Sequence, residues 1–393
     1  MNNWENIDFQ PDELGHYSRH LSIPEFGMEG QKKLKAAKVL AVGTGGLGAS
    51  MLQYLAAAGV GTIGIVDFDK IEASNLHRQV LFGVSDIGRP KVEVAKERLQ
   101  EINPYININV HEVRLTSENA LDIIKDYDFV ADGTDNFPTR YLVNDACVML
   151  GRPNVHGSIF QFEGQVSVFN HTDEEGNTGP NYRDLFPEPP PPGLVPSCAE
   201  AGVLGVLPGI IGCLQASEVI KIITGIGQPL SGKLFLFDAQ EFSTRKVNIT
   251  KNDDNPLRGE NPEITELIDY QAFCDLPSNG EAEEEESEVP EINVQELKKW
   301  QESNDDFQLI DVREPYEADI AEIGGELIPL KSILDNDSKI SWDKKVVVHC
   351  RSGARSTDAI KQLQEKYGFD NLYNLKGGIL AWSQEIDDSV PQY

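Results

Sequence analysis

The chain has 393 residues, 40% of them hydrophobic and 8% aromatic, with a formal net charge of −30. That length and composition suit two domains with proper cores; the acidity argues against direct nucleic-acid binding, which needs a basic face, and no run of 18 or more apolar residues points to a membrane span. Five cysteines (147, 198, 213, 274 and 350) form no CxxC pair, and Met1-Asn2-Asn3-Trp4-Glu5 lacks the basic start and apolar core of a signal peptide, so a reducing cytoplasm is expected.

Residues 11–38 are predicted to be mostly helical, including Tyr17-Ser18-Arg19-His20. Val39 to Asp69 then reads strand, glycine turn, helix, strand, acid: Val39-Leu40-Ala41-Val42, Gly43-Thr44-Gly45-Gly46-Leu47-Gly48, the apolar run 49–58, Thr62 to Val66, and Asp67. Glycines at 43, 45 and 48 let the backbone turn tightly beside a helix N-terminus, which favours a phosphate. A carboxylate after the second strand suits ribose hydroxyls. The motif says nucleotide, and by itself a dinucleotide for hydride transfer is the usual reading.

A loop at Ser74-Asn75-Leu76-His77-Arg78-Gln79 precedes a helix over Lys91–Ile102, stopped by Asn103-Pro104. A strand is expected at 106–110, a short helix at 120–125 and a buried strand at Tyr127–Asp132, followed by Gly133-Thr134-Asp135-Asn136. Helix and strand alternate as in an α/β doubly wound parallel sheet. Residues 154–170 read as antiparallel strands and 171–197 as loop, with Pro189 to Pro192 in a stiff polyproline run. A buried helix is expected over Val203–Ile223 and a strand over Lys233–Asp238. Residues 277–291 hold seven glutamates and few apolar groups, the composition of a flexible acidic linker. The expected domains are therefore 1–276 and 292–393. In the second, a helix over 294–301, a strand and turn over 307–313 and a buried strand at Lys345–His349 precede Cys350-Arg351-Ser352-Gly353-Ala354-Arg355-Ser356, which opens a helix to about Tyr367.

Arg78, Lys91 and Asp135 lie past strand ends facing one crevice. Two cations and a carboxylate suit a triphosphate with Mg²⁺ better than a nicotinamide, with Asp135 on the metal. At this point a resemblance enters. Tyr17-Ser18-Arg19-His20, Pro24-Glu25-Phe26-Gly27, the Gly43–Gly48 turn, Asp67-Phe68-Asp69, residues 74–79, Gly88-Arg89-Pro90-Lys91 and Thr134-Asp135-Asn136 together resemble the MoeB/ThiF branch of the ubiquitin-activating superfamily over about 14–276.

The resemblance implies a Rossmann-like mixed sheet and adenylation of the C-terminal glycine of a ubiquitin-like sulfur carrier ending in Gly-Gly. It implies ATP contacts at Gly45, Gly46, Asp67, Ser74, Asn75, Leu76, His77, Arg78, Lys91, Asp135 and Asn136. Arg19 would reach the other subunit's ATP, so a homodimer is implied. Molybdopterin, thiamine, cysteine and transfer-RNA thiolation routes all begin with this step. A scaffold that binds ATP and carrier without turnover, paired with a sulfide-sensing module, is the alternative. Family members usually carry zinc in two CxxC pairs matching Asn181-Tyr182-Arg183-Asp184 and Asn255-Pro256-Leu257-Arg258. Those four ligand positions are not cysteine here, so no zinc is expected.

Cys198, in Ser197-Cys198-Ala199-Glu200, is loop-borne among polar residues and reads as reactive; the resemblance places a sulfur-transfer cysteine there. Cys350 follows a buried strand and precedes a helix N-terminus, where backbone N–H groups of 351–355, with Arg351 and Arg355, stabilise a thiolate or persulfide. A tyrosine-phosphatase loop needs an arginine six residues after the cysteine, where Ser356 stands. The loop Cys350 to Arg355, with Asp311-Val312-Arg313-Glu314 and Lys376-Gly377-Gly378-Ile379, resembles a rhodanese, a small α/β sulfurtransferase domain. A separate sulfur donor, such as a cysteine desulfurase, is implied. Cys147 and Cys213 read as core, and Cys274 suggests no role.

Overall fold

The computed structural model describes residues 4–190, 202–259, 262–274, 289–303 and 305–392. The chain divides into two units, 1–278 and 279–393. In the first, α1 (Pro11–His16), α2 (Ser18–Leu21) and α3 (Gly27–Ala36) occupy the predicted helical stretch. β1 (Lys38–Val42), α4 (Gly46–Ala58) and β2 (Thr62–Val66) follow as strand, helix and strand. α4 carries no charged residue, so it can be buried on opposite sides, and Gly59 at φ +85° caps it. α5 (Lys91–Ile102), β3 (Asn107–His111), α6 (Ala120–Ile124), β4 (Phe129–Asp132) and α7 (Phe137–Met149) continue the alternation.

Beyond them lie β5 (Asn154–Phe160), β6 (Glu163–Phe169), α8 (Tyr182–Leu185), α9 (Leu207–Thr224), β7 (Lys233–Asp238), β8 (Ser243–Asn248) and α10 (Tyr270–Phe273). The sheet order is β3-β2-β1-β4-β5-β6-β7-β8. The first five strands are parallel and the rest antiparallel, so the sheet is mixed. The order reverses between β1 and β4, which opens a crevice at their C-terminal ends. α9 packs against α4 so closely that a Cβ on Gly212 would meet the Leu47 carbonyl oxygen at 2.3 Å.

Two elements, α8 and β8, are not among those expected from the sequence. α8 stands inside the predicted 171–197 loop, capped by Asn181. β8 is an edge strand exposed at every position, and its polar run Ser-Thr-Arg-Lys-Val-Asn has no apolar alternation to betray it. Among the described residues, α9 is long and apolar enough by length and composition to cross a membrane, with a mean hydropathy of 1.3, although Gln215, Ser217, Glu218 and Lys221 break its apolar run, in keeping with the sequence reading. Its place is the core: buried Gln215 donates to the carbonyls of Asp132 and Val155, and Glu218 accepts from the Leu230 N–H.

In the second unit β9 (Glu291–Ile292), α11 (Val294–Ser303), β10 (Phe307–Asp311), α12 (Pro315–Ala318), β11 (Glu326–Leu327), β12 (Lys345–His349), α13 (Ala354–Tyr367), β13 (Leu372–Leu375) and α14 (Gly378–Glu385) build a parallel sheet in the order β11-β10-β12-β13-β9. α13 buries Ser356, Ala359, Ile360 and Leu363 at helical spacing against it. The acidic segment expected as a linker, 277–291, lies outside the described residues up to 288, and so does Cys198.

Candidate functional site

The first candidate site is the crevice between β1 and β4. Gly43 turns the chain at φ +92°, and a Cβ there would stand 3.1 Å from the Gly133 carbonyl oxygen at the end of β4. A Cβ on Gly48 would meet the Gly43 carbonyl at 2.1 Å, so the turn folds back on its own helix only without side chains. Gly45 has open space, with Gln79 Nε2 3.8 Å from its would-be Cβ, and Gly46 has the Arg78 stem at 3.6 Å.

Asp67 directly follows β2 and holds the turn. Its Oδ2 accepts from the Thr44 N–H (2.8 Å) and hydroxyl (2.6 Å), and its Oδ1 from the Asp69 N–H (2.9 Å). Asp69 in turn pairs with Lys91 at 2.9 Å, and Lys91 is buried at the start of α5. The 72–78 segment is a self-bonded turn: buried Asn75 accepts from the Glu72 N–H, Arg78 Nη1 donates to the Ser74 carbonyl at 3.1 Å, and His77 Nδ1 lies 3.0 Å from it. Ser74 is exposed and Leu76 half-buried. Gly45, Gly46, Asp67, Arg78 and Lys91 are thus linked into one surface by contacts along these loops.

Asp135 and Asn136 are exposed after β4, and the Asn136 side chain caps α7 by accepting from the Thr139 N–H. Among the described residues no three His, Cys, Asp or Glu side chains gather to hold a metal. An ion at Asp135 would therefore bring phosphate oxygens with it. Arg19 is exposed on α2, and no bond to a described residue joins it to the crevice.

Two further residues line the crevice without a signal in the sequence that marks them as contacts. Gln79 is buried beside the turn with its Oε1 unpartnered, and its Nε2 is the atom nearest Gly45, 3.8 Å from a would-be Cβ there. Asp132, at the end of β4, accepts from the Thr134 N–H and hydroxyl and lies 3.4 Å from His156 Nδ1. Burial works to raise the Asp132 carboxyl, but His156 and Thr134 outweigh it and hold it below the usual range. Burial pushes His156 the other way, toward the neutral imidazole. The apolar strand pattern around Asp132 hides it in the sequence, whereas Gln79 stands in a polar run.

The positions matching the family's zinc ligands lie together, bonded to one another. Asn255 Nδ2 donates to Asn181 Oδ1 (3.0 Å) and Asp184 Oδ1 (2.9 Å), and Arg258 Nη2 pairs with Asp184 Oδ2 at 2.6 Å. Both Asp184 oxygens also accept backbone N–H groups, from Asn181 and Asn252. A guanidinium cannot ligate a cation, and the carboxylate is already engaged on both oxygens, so this donor set does not fit zinc. Between these positions Arg183 is buried and bidentate to Asp145 (2.9 and 2.8 Å), which Tyr270 also bonds.

Of the other cysteines, Cys147 is fully buried and burial pushes its thiol far up, which suits core. Cys274 is buried against the cluster of Tyr141 and Tyr182. Cys213 departs from the core expectation: it is half-buried and lines a groove of about 340 Å³ with Phe26, Tyr54 and Ile220.

The second site is the loop between β12 and α13. Cys350 is fully buried, with the Gly353 N–H donating to Sγ at 3.1 Å and Ser356 Oγ at 3.4 Å. Gly353, at φ +102°, turns the loop, leaving Ser352 and Ala354 exposed and Arg351 half-buried. Arg355 makes a bidentate pair with Glu317 at 2.6 and 2.7 Å, which overcomes burial and holds the Glu317 carboxyl low. Buried Arg313 is paired likewise with Asp311 and donates to the Ala321 carbonyl. The Gly377-Gly378 turn explains the second motif. A Cβ on Gly378 would strike the Cys350 carbonyl at 2.5 Å, and the first N–H groups of α14, from Ile379 and Leu380, bond the Cys350 and Arg351 carbonyls.

Residues 17–257 match the ThiF family and residues 293–385 the Rhodanese-like domain. The chain is 48% identical over 386 residues to the probable adenylyltransferase/sulfurtransferase MoeZ of Mycobacterium tuberculosis, covering 97% of this chain and 96% of that one. It is 56% identical over 265 residues to the sulfur carrier protein adenylyltransferase of Thermus thermophilus, covering 67% and 98%. A crystal structure of Escherichia coli MccB superposes with a TM-score of 0.56 at 25% identity, over 64% of this chain and 74% of that one.

Proposed function

The chain belongs to the ThiF family and carries a rhodanese-like domain, and from that premise we propose that it activates the C-terminal carboxylate of a ubiquitin-like sulfur carrier with ATP and converts it to a thiocarboxylate. The observation that supports this most directly is chemical. One chain holds both an open crevice of nucleotide type and a cysteine enclosed by N–H and hydroxyl donors.

In the crevice, the exposed ends of the glycine turn and α4 take the phosphates. The one acceptor site left on Asp67, at Oδ1, takes a ribose hydroxyl, and Arg78 and Lys91 neutralise charge developing on the α-phosphate and pyrophosphate. Asp135 would hold a Mg²⁺, which would screen the charge of the phosphates. The carrier carboxylate displaces pyrophosphate, giving an acyl-adenylate, because a bare carboxylate is a poor electrophile. A persulfide on Cys350, loaded by a donor such as a cysteine desulfurase, attacks the acyl carbon and expels AMP. Cys198 attacks Sγ of the acyl disulfide, which releases the thiocarboxylate and forms a Cys198–Cys350 disulfide for a thiol reductant to open. A second copy supplies Arg19 to the crevice in a homodimer, zinc takes no part, and the setting is cytoplasmic.

ATP–pyrophosphate exchange that depends on a carrier ending in Gly-Gly tests the first half. Binding of ATP and carrier without exchange would overturn it in favour of a scaffold.

A further inference from the structure

Sγ of Cys350 is fully enclosed, so no water can meet negative charge that forms on it. That charge forms when an external nucleophile such as cyanide takes the outer sulfur of a persulfide, and it forms again when a thiol reductant opens the Cys198–Cys350 disulfide at Cys198, though not in the step in which the thiocarboxylate leaves. The S–S bond breaks, its electron pair goes to Sγ, and Cys350 leaves as a thiolate. Protein donors must meet it, and Gly353 N–H is one.

Ser356 is placed to be the second. Its Oγ lies 3.4 Å from Sγ, 2.9 Å from the Gly353 carbonyl and 2.6 Å from Asn374 Oδ1, and it is fully buried. A hydroxyl has one hydrogen, so it can serve only one of these acceptors at a time. The orientation of Asn374 is set from its far side: its Nδ2 donates to Glu291 Oε1 at 2.9 Å, which only the amide nitrogen can do. Asn374 Oδ1 therefore faces Ser356 as a waiting acceptor. Glu291 sits in β9, paired beside β13, and the Asn374 N–H is fixed to the Pro290 carbonyl at 2.8 Å.

We propose that Ser356 donates to Cys350 Sγ as it becomes the leaving thiolate, and that Asn374 and Glu291 position it. While Cys350 carries a persulfide, the charge is on the outer sulfur and the Ser356 hydrogen rests on Asn374 Oδ1. When the outer sulfur departs, the hydrogen turns to Sγ. The arrangement favours unloading over loading, because it stabilises the thiolate that loading consumes. This rests on the sulfurtransferase reading of Cys350.

The test uses the full chain, with thiosulfate to load Cys350 and cyanide to unload it. Thiolate and thiosulfate give persulfide and sulfite; persulfide and cyanide give thiolate and thiocyanate. In single-turnover measurements Ser356→Ala lowers the cyanide step about tenfold, the scale of one hydrogen bond to a charged group, and leaves thiosulfate loading and its KM within about twofold. Ser356→Thr, which keeps the hydroxyl, recovers most of the loss. Glu291→Gln, which lets Asn374 turn over, lowers the same step about threefold without changing loading. Equal losses in Ser356→Ala and Ser356→Thr, or loading and unloading falling together, would mark a packing effect and overturn the proposal. Unchanged unloading in Ser356→Ala sinks it while the sulfurtransferase reading stands. A wild-type chain that neither loads nor unloads sulfur overturns both.

Discussion

The two sites use one local device to opposite ends. Each stands where parallel strands finish, each turns on a positive-φ glycine before a helix (Gly43 at +92°, Gly353 at +102°), and each has an aspartate at a strand end that accepts the N–H two residues on. In the first unit that aspartate, Asp67, keeps an exposed side, and Arg78 and Asp135 also face solvent. In the second, Asp311 is buried against Arg313, Arg355 is locked to Glu317 and Cys350 is sealed. The difference follows from what each handles. A nucleotide and a protein tail must enter from solution, so Arg78 and Asp135 wait at the surface, while Lys91 is buried and held by Asp69. A single sulfur needs its donors arranged before the charge arrives.

The largest effect that would sharpen this contrast is Cys350→Ala. Thiocarboxylate formation is abolished while carrier-dependent ATP–pyrophosphate exchange stays at the wild-type rate; loss of exchange would break the division of labour. Lys91→Ala is the mirror experiment. It lowers exchange about 10²- to 10³-fold, the scale of removing one donor from a developing charge, and leaves thiosulfate–cyanide turnover unchanged.

Next comes stability. Arg183→Ala strands the buried Asp145 carboxylate and destabilises the first unit by about 3–5 kcal/mol in denaturant unfolding. A chelator leaves the wild-type melting temperature where it was; a fall on chelation, or stoichiometric zinc in the purified protein, would show that the Asn181, Asp184, Asn255 and Arg258 cluster is not what holds that corner.

The smallest effect is shared by both units. Burial lowers His156 and His349 below the ordinary histidine value despite Asp132 and Asp311 beside them. The folded chain therefore refuses protons that the unfolded chain accepts. Stability is full above about pH 6.5 and falls as pH drops through it, by up to about 1.4 kcal/mol per unit for each histidine. His156→Gln should remove its own share of that slope and leave the shares of His111 and His171, which burial also lowers, and of His349.

Much of this was written in short-range pattern. The Gly43–Gly48 turn, the alternation of apolar strands and helices, and the Cys350 loop are local, because turn geometry, helix starts and binary patterning act over a few residues. The edge strand β8 was illegible because a strand exposed on both faces has no hydrophobic period. α9 passes for a membrane helix until its neighbours are seen. Gln79 could be suspected only from its place in a polar run, and Ser356 only from standing where a phosphatase would have arginine.

The sequence by itself determined most of the elements, the two reactive loops and the loss of four thiolate ligands. Tertiary structure decided what stands beside them. Nothing near 184 announces that Asp184 will meet Arg258, and nothing near 350 announces that Glu291 will orient an amide for Ser356. Such pairings are made by the fold across long stretches of chain. Their energy depends on burial, which no local pattern carries.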